Sequence, residues 1–196
     1  MFQEELRAGL HRAWQQKRNA LDGKLGDSVT RRFVLESAEL DRLRQSLVRT
    51  GTSAGGWTLL YSDASGGQRW EERRLYPEQH GGGLPYLMRL PEPTPAQLVD
   101  IALESPYLDE AEVAAALLGD HPEQWEAFLV GLESRTTGDR AIRHARLIKA
   151  SGIASGSNRA GTLGKTMAEI QVDHTHYLEL ARRANRLLAE TPEGRH

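Results

Sequence analysis

The chain has 196 residues, of which 39% are hydrophobic and 27% charged, with a formal net charge of −2. This length suits one domain or two small ones and is enough to bury a core. The absence of cysteine excludes disulfides, thiolate metal sites and a cysteine nucleophile.

No apolar stretch reaches the roughly eighteen residues of a membrane span. The start, Met1-Phe2-Gln3-Glu4-Glu5-Leu6, lacks the basic-then-apolar layout of a signal peptide. A cytoplasmic location without membrane contact is the expectation.

Leu6, Leu10, Trp14, Lys17 and Leu21 recur at helical spacing before Gly23. They predict an amphipathic helix over 2–22. Residues 29–35 predict a short strand, and 37–49 a second helix with Leu40, Leu43 and Leu47 on one face and Ser37 as its cap. The run Gly51-Thr52-Ser53-Ala54-Gly55-Gly56 reads as a loop. Trp57–Tyr61 and Gln68–Tyr76 predict the two strands of a hairpin around the turn Ser62–Gly67. Pro85–Leu90 predicts a third strand.

Beyond Pro91 the pattern is helical. Thr94-Pro95-Ala96-Gln97 is a capping box with proline at the first helical position. Asp109-Glu110-Ala111-Glu112 reads as a second capping box, with Gly119 as the stop. Further helices are expected from Pro122 to Leu132, from Asp139 to Ala150, and over 160–190. In the last of these, Leu163, Met167, Ile170, His174, Tyr177, Ala181, Ala184 and Leu188 alternate steps of four and three, the spacing of a packed seam. That seam is expected to be buried within the chain or in a homodimer through the 160–190 helix. The expected fold class is α+β: a small antiparallel sheet with flanking helices, then an all-helical C-terminal part. The expected domains are an N-terminal helix (1–27), an α+β part (28–92) and a helical part (93–196).

Charge is distributed unevenly. Residues 94–133 hold Asp100, Glu104, Asp109, Glu110, Glu112, Asp120, Glu123, Glu126 and Glu133 with no Lys or Arg among them. Such a field can steer a basic partner, which makes Glu110, Glu112, Glu123 and Glu126 candidate contacts. Equally, the block can be neutralised by Arg140, Arg143, Arg146 and Lys149 of the next helix. The pairs Arg31-Arg32, Arg73-Arg74 and Arg182-Arg183 are scattered rather than interleaved with aromatics, so direct nucleic-acid binding is not expected.

Three motifs suggest chemistry. Gly51-Thr52-Ser53-Ala54-Gly55 matches a nucleophile elbow, and His80-Gly81-Gly82-Gly83 an oxyanion loop. The elbow needs strand, serine turn and helix in that order, whereas helix, loop and strand are read here. Arg159–Thr166 approaches a phosphate-binding loop, but Arg159 replaces its first glycine. His174 and His176 are two apart and so point to different faces of a helix. No metal or cofactor is expected.

The segment Gly56-Trp57-Thr58-Leu59-Leu60-Tyr61-Ser62-Asp63, then Gly67-Gln68-Arg69-Trp70-Glu71, Tyr76-Pro77, His80-Gly81-Gly82-Gly83 and Pro85 resembles the immunity protein 27 family of bacterial polymorphic toxin systems. The likeness spans about residues 30–92. Arg69 stands where the family has an aromatic, the strand before Tyr76 is longer, and Leu84 replaces a proline. The resemblance implies a cytosolic protein that neutralises a cognate toxin by binding it, without catalysis. It makes Trp57, Tyr61, Asp63, Trp70, Glu71, Tyr76, His80, Gly81 and Gly82 candidate partner-binding residues. The alternatives are a helical adaptor, a hydrolase using Ser53 and the His80 loop, or a nucleotide-binding protein using Lys165 and Thr166.

Overall fold

The computed structural model describes residues 31–35, 37–53, 55–77, 82–135, 140–157 and 162–190. The expected N-terminal helix over 2–22, the strand start at Val29-Thr30 and the candidates His80 and Gly81 lie outside these residues. The fold is α+β, as the sequence predicts, with a five-stranded antiparallel sheet and a helical C-terminal part.

The strands are β1 (Phe33–Val34), β2 (Val48–Thr52), β3 (Leu59–Ser62), β4 (Arg69–Leu75) and β5 (Leu84–Arg89). Their spatial order is β1-β5-β4-β3-β2. The helices are α1 (Ser37–Ser46), α2 (Pro95–Glu104), α3 (Leu108–Leu117), α4 (Trp125–Glu133), α5 (Ala141–Ser151) and α6 (Met167–Ala189).

Successive strand residues face opposite sides of a sheet, and each side here has its own cover. Val34, Tyr61, Trp70 and Leu87 form one cluster with Leu40 of α1. Phe33, Leu75, Tyr86 and Met88 join the core of the helical part. That core runs through Leu98 of α2, Val113 of α3, Trp125 and Phe128 of α4, Leu147 of α5 and Tyr177 of α6. Residues on both sides of the expected 92/93 boundary therefore share one core. The Trp125 indole N–H donates to the Leu118 carbonyl (2.7 Å), so the polar tip of this buried ring is satisfied.

The capping box at Thr94 forms as predicted: Gln97 N–H donates to Thr94 Oγ1 and Thr94 N–H to Gln97 Oε1. An equivalent box at Thr166 and Glu169 starts α6. The expected box at Asp109 does not form. α3 begins at Leu108 with no side-chain cap, and Asp109 instead accepts from the Leu35 N–H (3.1 Å). Tertiary donors from beyond β1 take the carboxylate that local pattern assigns to the helix.

Two further expectations are corrected. Gly51 and Thr52 are strand rather than loop: they pair with Leu60 and Leu59 of β3, which overrides the poor β propensity of Gly51. The seam of the last helix is split. Tyr177, Ala181 and Ala184 are buried, but Leu163 precedes the helix and is fully exposed, and Met167 is 80% exposed. α6 packs against α4, α5 and the turn Ile153–Ser155, which leaves its first turns without cover among the described residues.

Candidate functional site

The chain direction sorts the candidates by sheet end. β2 and β4 run one way, β3 and β5 the other. The β2–β3 turn with Trp57 and the β4–β5 loop with Tyr76 and Gly82 therefore share one end. Asp63 lies in the β3–β4 turn at the other end. Its carboxylate accepts from Ser65 Oγ and the Gly67 N–H, each at 2.9 Å. The Ser65 hydroxyl, then backbone N–H groups, hold its acidity stronger than usual. Asp63 is thereby accounted for as a turn former.

The shared end presents Trp57, 83% exposed, just after Gly55-Gly56. A largely hydrated indole is uncommon in a folded surface, and tryptophan is enriched among residues that anchor interfaces. Leu84, at the start of β5, is also exposed. The neighbouring loop is held from two sides. Arg74 Nη1 donates to the carbonyls of Gly82 (3.2 Å) and Gly83 (3.3 Å). The Tyr76 hydroxyl donates to the Ala150 carbonyl (2.9 Å) at the end of α5. Tyr76 also has a positive φ of 51°, a costly conformation for a bulky residue. Tyr76 thus braces the loop against the helical part.

Trp70 is only 6% exposed and Tyr61 is buried beside it, so these two candidates belong to the core under α1. The Tyr61 hydroxyl donates to Glu72 Oε2 (3.1 Å), and Arg44 Nε donates to the same oxygen (2.9 Å). Burial works against ionisation of Glu72, but the Arg44 contacts outweigh it and hold the carboxyl below its usual range. Glu71 faces the opposite side of the sheet and accepts from Arg73 Nε (2.8 Å), whose guanidinium also grips Glu92 at 2.8 and 2.9 Å. Arg44, Arg73 and Arg74 carry no motif, and their organising roles emerge only from the sheet.

The acidic block is largely met by internal cations and donors. Glu112 pairs with Arg146 (Arg146 Nη2 to Glu112 Oε2, 3.0 Å). Glu133 accepts twice from Arg183, at 3.0 and 2.8 Å, and Glu104 pairs with Arg135. Glu126 lies 3.9 Å from Arg183, and Glu123 3.4 Å from His121 Nδ1; both are exposed and remain available to a partner. Glu110 is 3% exposed and is corrected from the candidate contact face. It reaches into β1, accepting from the Arg32 and Phe33 N–H groups.

The motif readings resolve locally. Ser53 joins two strands: its N–H donates to the Thr58 carbonyl (2.9 Å), and its carbonyl accepts from the Gly56 N–H (3.0 Å). The order is strand, turn, strand, not the helix, loop and strand read from the sequence. A nucleophile elbow needs a helix after the serine. Lys165 Nζ sits 2.7 Å from Asp173 and Thr166 caps α6. His174 is half-buried and His176 exposed. Among the described residues no group of three or more His, Asp or Glu is placed to hold a metal ion, and no helix is long and apolar enough to cross a membrane.

His144 on α5 is 5% exposed, and its Nδ1 is buried without a hydrogen-bond partner among the described residues. Burial first, then the charges of Arg143, Arg140 and Arg135, push its pKa down. A depressed folded-state pKa means the unfolded chain takes up the proton first. The contribution is intact above the ordinary histidine value of about 6.5 and is lost as pH falls below it. The expected result is that His144→Leu keeps or raises the melting temperature at pH 7 and flattens its fall toward pH 5. Parallel slopes for variant and wild type would contradict this.

No family model matches the chain, and comparisons with curated proteins and with solved structures find no match.

Proposed function

We propose that the protein is an immunity protein that neutralises a bacterial toxin by stoichiometric binding in the cytoplasm, without catalysis. The observation that carries the reading is the exposed Trp57, set on a turn that shares one sheet end with the braced Tyr76–Gly83 loop. The motif likeness over residues 30–92 runs through that same end. A rigid scaffold presenting an aromatic anchor on a short loop is a common way to place binding energy. Glu123 and Glu126 add exposed negative charge, which acts mainly on association rate and specificity.

The test is titration of the purified protein with the product of the gene immediately upstream, the position at which the proposed toxin would be encoded. Trp57→Ala is expected to weaken binding by about 2 kcal/mol, roughly thirtyfold. Thermal unfolding should not change, because the indole is 83% exposed. Undiminished affinity in the variant would remove Trp57, and with it this sheet end, from the interface.

A further inference from the structure

We propose that β2 is an open sheet edge which receives an extended strand of the protein partner, with an acidic side chain of that strand set against Arg49. The inference rests on the inhibitor reading and deepens it by naming how the partner is held.

Among the described residues β2 pairs with β3 alone. Val48, Arg49, Thr50 and Thr52 are all exposed. The Ser53 N–H donates to the Thr58 carbonyl (2.9 Å). Antiparallel ladders alternate the direction of their backbone groups, so Thr52 turns its N–H and C=O away from β3. The register shift between Arg49 and Gly51 is a bulge. It twists the first half of the edge and leaves the regular half, toward Ser53, beside the Trp57 turn.

Natural sheet edges are commonly guarded by charges, proline or a covering element. Here Arg49 is the one charged side chain between Ser46 and Ser62. Val48 is 55% exposed at one end of the edge, and Trp57 is exposed just past the other. Backbone hydrogen bonds along an edge, with side-chain anchors at its ends, suit strand addition.

The same residues discriminate between occupants. In a second copy, β2 against β2 would place no carboxylate opposite Arg49, because residues 46–62 contain none. Desolvating that cation without a partner is costly. A different chain that brings an acidic residue satisfies it.

The experiment uses the full chain and the product of the gene immediately upstream, the probe of the proposed function above. Hydrogen exchange at the Thr52 amide should slow in the complex. Thr52→Pro removes the outward donor and is compatible with an edge strand. It should lower affinity about tenfold, the equivalent of one hydrogen bond. Arg49→Glu, at an exposed position, should weaken binding most at low salt, and it decides the matter if Thr52→Pro does not fold. Equal Thr52 exchange in free and bound protein overturns the proposal, as does wild-type affinity in both variants. If Trp57→Ala weakens binding while both edge variants bind normally, the edge is wrong and the inhibitor reading stands. No binding by the wild type overturns both.

Discussion

Glu110→Ala is expected to destabilise the protein by about 3 kcal/mol or more, as read from urea unfolding. Glu110 Oε1 accepts from the N–H groups of Arg32 and Phe33 (3.2 Å to Phe33), and Oε2 accepts from the Ser105 hydroxyl (2.6 Å). One carboxylate thereby ties α3 to β1 and to the end of α2. Truncation leaves the buried Phe33 N–H and the part-buried Arg32 N–H just before β1 without an acceptor, and an orphaned buried donor costs about 1–3 kcal/mol. β1 has two residues; its other anchors are its pairing with Met88 and Leu87, the burial of Phe33 and Val34 and the bond from Leu35 to Asp109. Glu110→Gln keeps an acceptor oxygen and should cost clearly less, about 1 kcal/mol. Equal losses for Ala and Gln would show that charge, not the acceptor, is what matters at this position.

Gly83→Ala is expected to cost at least as much, about 3 kcal/mol or more. A Cβ at residue 83 would stand 2.1 Å from the Leu75 carbonyl oxygen and 2.8 Å from that of Tyr76. Both obstacles are backbone, so the β4–β5 loop must move. Gly82 provides the control. Its φ of 76° is nearly the same as the 77° of Gly83, but among the described residues its Cβ would meet only Arg74 Nη1, at 3.8 Å. Gly82→Ala should therefore show the left-handed backbone penalty alone, about 1–2 kcal/mol. Comparable melting temperatures for the two variants would mean that the close approach at residue 83 is not a stability determinant. Because the loop borders the Trp57 end of the sheet, toxin binding by folded Gly83→Ala should also fall.

Features that depend on neighbours in sequence were legible from the chain alone. The helices after residue 93 announced themselves by period, because an amphipathic face recurs every three to four residues. The Thr94 box has its partner three residues away. The β3–β4 turn was legible too, since Asp63 satisfies donors within four residues of itself.

What the sequence could not determine depends on contacts far along the chain. Trp57 and Trp70 are the same residue type in similar strand-like surroundings, yet one is 83% exposed and the other 6%. Trp57 falls in the β2–β3 turn, before β3 begins, whereas Trp70 lies in β4 on the face that α1 covers. The Asp109–Glu112 pattern read as a local cap, but donors at Leu35, Arg32 and Phe33 claimed its first two carboxylates from more than seventy residues away. For the acidic block the sequence left a partner-facing field and internal neutralisation equally open, and the fold brought Arg146, Arg183 and Arg135 against Glu112, Glu133 and Glu104. Gly51 read as a loop because its intrinsic β preference is poor, and pairing with β3 overrode it. Helical period and capping chemistry are local and can be read along the chain. Sheet cover, edge position and the partners of buried charge are fixed by long-range packing, so only the tertiary structure decided them.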